Sequence, residues 1–127
     1  MFGKIIQNRF MALLVCGVIA LPVSAYAADK TLYYWSSYDA DLYFFLENPE
    51  PETEARFEAT LQHIFTESDK ANRKIAPGLL AEYGFLLYQR GEFDAAVGYF
   101  ERERDEWPES SAFMTKMIAQ AEQVASE

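Results

Sequence analysis

Hydrophobic positions recur at helical spacing through most of this 127-residue chain, and residues 80–108 show the pattern most fully. Leu80, Tyr83 and Leu87, with the neighbouring Leu86, share one face of a predicted helix. Phe93, Ala96, Val97 and Phe100 follow i, i+3, i+4, i+7 and make a second. Between them, Gly91 can take the left-handed conformation that ends the first helix. Pro108 ends the second, because the residue before a proline is pushed out of the α region. Gly84 lies mid-helix, where glycine costs about 1 kcal/mol relative to alanine. Close approach of another helix explains it, and the small Ala96 is expected opposite.

The same reading extends to both sides. Residues 52–70 form a long helix with Phe57, Leu61, Ile64, Phe65 and Ser68 inward. Glu52 and Glu54 suit its positive end, and Lys70 its negative one. Pro77 and Gly78 restart the chain, with Pro77 in the first turn of the next helix. A last helix runs to about Ser126, capped by Ser110 or Ser111, with Phe113, Met117, Ala121 and Val124 as its buried stripe. Before these, residues 31–46 gather Tyr33, Tyr34, Trp35, Tyr38, Tyr43, Phe44 and Phe45. Residues 31–35 are expected to be extended, and Asp39 or Asp41 to cap a short helix ending near Leu46. These rings either cover the open end of a helical stack or dock a partner. The fold class is therefore all-α, a short antiparallel stack of about five helices.

The first 27 residues have another character. Lys4 and Arg9 precede an apolar run from Phe10 to Leu21, and Ala25-Tyr26-Ala27 supplies a small-x-small site before Ala28. Twelve apolar residues are short for a permanent span, so a cleaved secretory signal is expected. Cys16, the sole cysteine, is a poor lipid-attachment site because Val15 precedes it and the apolar run continues beyond it. Membrane association follows only if Cys16 is lipidated or the signal stays uncleaved. The expected organisation is a signal at 1–27, an aromatic-rich segment with a short helix at 28–51, and a helical domain at 52–127.

Charge then narrows the partners. All 20 acidic residues lie beyond residue 27, whereas two of the 11 basic residues, Lys4 and Arg9, lie before it. Residues 28–127 thus carry a formal net charge of −11, which repels nucleic acid and anionic lipid. Lys70, Arg73 and Lys74 form a small positive spot that helix-end complementarity accounts for. His63, the only histidine, has neither a second histidine nor a cysteine beyond residue 27 to share a metal with. It also has no nucleophile motif around it. Arg102 and Arg104 interleave the acidic residues at 101–106, as on a solvated helix face. No catalytic residue, metal site or cofactor is expected.

The stretch at 80–108 resembles the tetratricopeptide repeat, a helical hairpin built on spaced small and aromatic residues. Gly84, Ala96, Phe100 and Pro108 stand where the repeat has glycine, alanine, phenylalanine and proline, with Gly91 and Phe93 at the turn. Leu80, Tyr83 and Leu87 replace its usual tryptophan, leucine and tyrosine, Leu80 and Leu87 keeping the packing role. Glu103 also departs from the repeat, standing where a second alanine is common.

Taken together, TLYYWSSYDADLYFFL and KIAPGLLAEYGFLLYQRGEFDAAVGYFERERDEWPESSAFM resemble an uncharacterised family of small bacterial cell-envelope lipoproteins. Its domain has no assigned function. The resemblance implies a short tetratricopeptide-type protein encoded beside a curli-secretion-channel-like (CsgG-type) lipoprotein, hence an envelope protein partner of that kind. The expected role is a non-enzymatic interaction subunit of an envelope assembly, in the periplasm or anchored to the envelope. Binding would use the face between the second, third and fourth helices, through Tyr83, Tyr88, Arg90 and Tyr99, with Tyr33, Tyr34, Trp35 and Tyr38 closing that groove or docking themselves. With about two repeats present and three normally needed, the stack is expected to be completed by a homo-oligomer or by the neighbour protein. Competing roles are a periplasmic regulator of a cell-wall synthase and a small-ligand carrier, the latter requiring a closed apolar cavity.

Overall fold

The computed structural model describes residues 31–127, and these are all-helical with no strand. The expected signal at 1–27, Cys16 and the start of the aromatic segment at 28–30 lie outside the described residues. Five helices follow in order: α1 (Tyr38–Glu47), α2 (Pro51–Lys70), α3 (Leu79–Gln89), α4 (Phe93–Glu106) and α5 (Ser111–Ala125). A single 3-10 turn, Pro108–Ser110, links α4 to α5. None of these helices is long and apolar enough to cross a membrane.

Local chemistry sets the boundaries. Pro51 opens α2, and the Glu50 backbone N–H donates to Thr53 Oγ1 at 3.1 Å, satisfying one of the helix-start amides. Past its end, Asn72 adopts a positive φ of 50°, and the N–H of Arg73 reaches back to the carbonyl of Ser68. Gly91, at φ 79°, closes α3: its N–H donates to Tyr88 O and that of Glu92 to Leu87 O. This pairing helps satisfy the last carbonyls of the helix. Trp107 is extended before Pro108, and α4 stops there.

Packing then joins the helices. α1 lies on α2; α3 and α4 form an antiparallel hairpin; α5 packs back along α4. The core combines Phe57, Leu61, Ile64 and Phe65 of α2 with Leu80, Tyr83 and Leu87 of α3, Ala96 and Phe100 of α4, and Met114 and Ile118 of α5. Full burial of such side chains is worth about 1.5–3 kcal/mol each. A Cβ on Gly84 would stand 2.8 Å from the Phe100 ring and 3.2 Å from the Ala96 carbonyl oxygen. The mid-helix glycine thus marks the close α3–α4 contact that its position implied.

Four expectations need correction, two of them in part. Ser37, not Asp39 or Asp41, occupies the N-cap position of α1, and Asp41 turns inward, 3% exposed. There it accepts hydrogen bonds from Ser37 and Thr60, both at 2.6 Å, and from Arg56 Nε, tying α1 to α2. Pro77 lies outside α3, whose N-cap is Gly78 at φ 94°. Ser110 holds the expected N-cap position of α5 but makes no side-chain cap bond, its hydroxyl donating back to Trp107 O instead. On α5, Ala121 is buried and Met117 half-buried against the core as expected, but Phe113 and Val124 are exposed, and Met114 and Ile118 are buried instead. The sequence offers two overlapping apolar stripes, and the core takes the one that holds Met114 and Ile118.

A candidate binding groove between α3 and α5

Among the described residues, a depression of about 320 Å³ runs between α3 and α5 and is lined by Ala81, Glu82, Phe85, Phe100, Phe113, Met114 and Met117. Its floor is core, from Phe100 and Met114, while Phe85 and Phe113 stand at its lips, 45% and 62% exposed. Phe85 stacks with Tyr88 at 6.4 Å, and the Tyr88 hydroxyl accepts from Gln120 Nε2 at 3.1 Å, so α3 and α5 are bridged beyond the groove. Exposed rings of this size are costly to leave in water, and together they make an apolar surface with an unfilled slot.

Glu82 is the charged member of the groove lining. Its Oε2 accepts the Tyr38 hydroxyl at 2.8 Å. Burial pushes its carboxyl above the usual carboxylate range, with the Tyr38 bond opposing that in part. Burial and the same bond raise the Tyr38 phenol. Through Tyr38 the start of α1 reaches the groove rim, and the segment before it follows.

That segment lies across the stack. Tyr33 sets its ring edge-on to Trp107 at 6.1 Å, and Tyr34 hydrogen-bonds His63 Nε2 at 3.1 Å. Trp35 tilts against Tyr38 at 5.7 Å and stays partly exposed. Trp107 also donates to the Ile75 carbonyl at 3.2 Å and carries Lys74 over its face at 4.8 Å. Three of the four aromatics, Tyr33, Tyr34 and Tyr38, are therefore packed against the helices, and Trp35 is the most open.

The remaining expected contacts form a closed cluster elsewhere. Tyr83 is core, 5% exposed, meeting Tyr99 edge-on at 4.6 Å. Its hydroxyl donates to Glu58 Oε1 at 2.9 Å and accepts from Gln62 at 2.6 Å. Arg90 grips Glu58 with both terminal nitrogens, at 2.9 and 3.1 Å, and also pairs with Glu92 at 3.2 Å. The Arg90 bonds hold the Glu58 carboxyl below its usual range and keep the Arg90 guanidinium charged. A second depression, about 270 Å³ and partly polar, lies beside this pair and is lined by Pro51, Glu54, Ala55, Glu58 and Arg90. The residues read as one docking face thus mostly satisfy one another. Of the eight packing positions, Leu80, Gly84, Leu87, Ala96 and Phe100 are buried, Phe93 is half-buried against Tyr88, and Gly91 and Pro108 sit at the turns.

Sequence reasoning missed the groove itself. Phe113 was visible in an apolar stripe but assigned inward, and Phe85 lies off the stripe of Leu80, Tyr83 and Leu87. Two apolar stripes on α5 were the signal that one of them faces outward. Among the described residues there is no group of three histidine, cysteine, aspartate or glutamate side chains placed to hold a metal ion.

Residues 32–117 match the family model of a domain of unknown function (DUF4810). No curated protein and no solved structure matches the chain.

Proposed function

The chain belongs to the DUF4810 family, and we propose that this member is a non-enzymatic interaction module that docks a segment of a partner protein between α3 and α5. The apolar groove with Phe85 and Phe113 at its lips carries the reading. A groove open to solvent supports docking of a chain segment over enclosure of a small ligand, which would need surrounding walls. The α3–α4 hairpin, closed on Gly84 and the Ala96–Phe100 face, supports a tetratricopeptide-like scaffold for it. In such stacks a neighbouring helix covers each apolar face, and among the described residues none covers the outer stripe of α5.

The setting is a bacterial cell envelope, reached through the signal at 1–27, with a CsgG-type lipoprotein as the partner the sequence resemblance implies. Phe85→Lys and Phe113→Lys test the reading. Both side chains are largely exposed, so the melting transition should move by no more than about 0.5 kcal/mol. Association with envelope protein, followed as native complex size after mild extraction, should be lost in both. An unchanged complex with both variants rejects the groove.

A further inference from the structure

Resting on the groove reading above, we infer that the docked segment is an amphipathic helix that places a lysine or arginine against Glu82. The groove lining is apolar apart from Glu82, and among the described residues no basic side chain forms an ion pair with that carboxylate. Tyr38 satisfies Oε2 alone. A segment that fills the groove removes water from Glu82, and a desolvated carboxylate with one neutral donor is costly unless a cation meets it. An apolar-only occupant would incur that cost, and an acidic one would add repulsion.

The charge of the whole molecule points the same way. Residues 28–127 carry −11, a field that draws in basic segments and disfavours a second copy of this chain. The slot between α3 and α5 suits a helical occupant, whose apolar face meets Phe85, Phe113 and Met117 while a flanking base turns toward α3. Tyr38 then serves as the positioning residue that fixes the Glu82 rotamer before binding.

The test uses the purified full-length protein and three synthetic amphipathic peptides. Each has leucines along one helical face and, at the edge of that face, a lysine, a glutamine or a glutamate. Binding is read by fluorescence anisotropy. The lysine peptide should bind about tenfold more tightly than the glutamine peptide, the scale of one charge-assisted hydrogen bond. The glutamate peptide should bind most weakly. Glu82→Gln should erase the lysine preference while the glutamine peptide still binds, and salt near about 1 M should shrink it. Tyr38→Phe leaves the carboxylate in place but frees its rotamer, so the lysine preference should narrow without vanishing. Equal binding of all three peptides, or a lysine preference that survives Glu82→Gln, overturns the cation pairing and leaves the groove reading standing. Binding by none of them overturns both. A concentration-dependent dimer whose dissociation the peptides promote would make a second copy the occupant and overturn the inference as well.

Discussion

The Glu103 side chain accepts the backbone N–H of Gly78 at 2.7 Å, so a residue of α4 caps the start of α3 from 25 positions further along the chain. Gly78 has no side chain to do this itself, and the amides of Leu80 and Ala81 face the same carboxyl group. Glu103 is 2% exposed, and its second oxygen, Oε2, is buried without a hydrogen-bond partner. Burial pushes its carboxyl above the usual carboxylate range, with the three amides opposing the shift.

Glu103 therefore binds a proton more readily folded than unfolded. Stability from a raised carboxyl is present below the unfolded pKa of about 4.3 and is lost as pH rises through the folded value. Glu103→Gln removes that dependence. In urea melts across pH 4 to 7, the stability of the native protein minus that of Glu103→Gln should fall as pH rises. A difference that grows with pH would mean the helix start favours the ionised carboxylate over burial. Glu103→Ala, which also removes the cap, should cost about 1–2 kcal/mol.

Two glycines in neighbouring helices should respond oppositely to alanine. At Gly84 the new methyl collides with the Phe100 ring, which is 1% exposed and cannot swing aside. Destabilisation of about 1–3 kcal/mol should outweigh the gain in helix propensity. At Gly98, in α4, nothing lies within 4 Å of the added Cβ. Gly98→Ala should stabilise by up to about 1 kcal/mol. Thermal melts of the two variants decide it, and equal effects would contradict the close α3–α4 contact.

Asp41 runs counter to Glu103 in pH. Burial would raise its carboxyl, but hydrogen bonds from Ser37, Thr60 and Arg56 more than offset that and hold it below the usual range. Its contribution is present above the unfolded pKa of about 3.9 and lost as pH falls through the folded value. Asp41→Ala should cost about 2–3 kcal/mol at neutral pH, chiefly through the stranded Thr60 hydroxyl. Arg56 is 56% exposed, so its ion pair is screened and adds little. Below about pH 3 the gap between variant and native protein should narrow; a constant gap would show that the neutral acid serves as well.

The first turn of α1 should loosen when its groove-side tie is removed. Tyr38→Phe deletes the bond to Glu82 and should cost about 1 kcal/mol. Hydrogen exchange should quicken at the Tyr38 and Asp41 amides, which close the first turn of α1 on Trp35 and Ser37. Exchange in α4 should stay unchanged, and a uniform increase across all helices would mean Tyr38 supports the whole core.

Much of the helical architecture was legible because it rests on local rules. Gly91, Pro108 and the stripe of Phe57, Leu61, Ile64 and Phe65 act through backbone geometry and periodicity, which sequence carries directly. Glu103 was not legible: within Glu101–Glu106 it stands among charges, and only the tertiary arrangement brings the bare amides of α3 to it. Tyr83 was read as a surface contact although it shares the stripe of Leu80 and Leu87, since its hydroxyl finds Glu58 and Gln62 across α2. α5 shows the limit of periodicity. Phe113 and Val124 fit a stripe with Met117 and Ala121 as well as Met114 and Ile118 do, and packing against α4 buries the latter pair.

Docking between α3 and α5 is tested most directly by placing a photo-crosslinking residue at single positions in the cell that makes the protein. Phe85 and Phe113 report on the groove, and the exposed Thr66 on α2 and Ala95 on α4 report on other surfaces. The account predicts one discrete protein adduct shared by Phe85 and Phe113 and missing from Thr66 and Ala95. Adducts at Thr66 or Ala95 with none at Phe85 and Phe113 would contradict it.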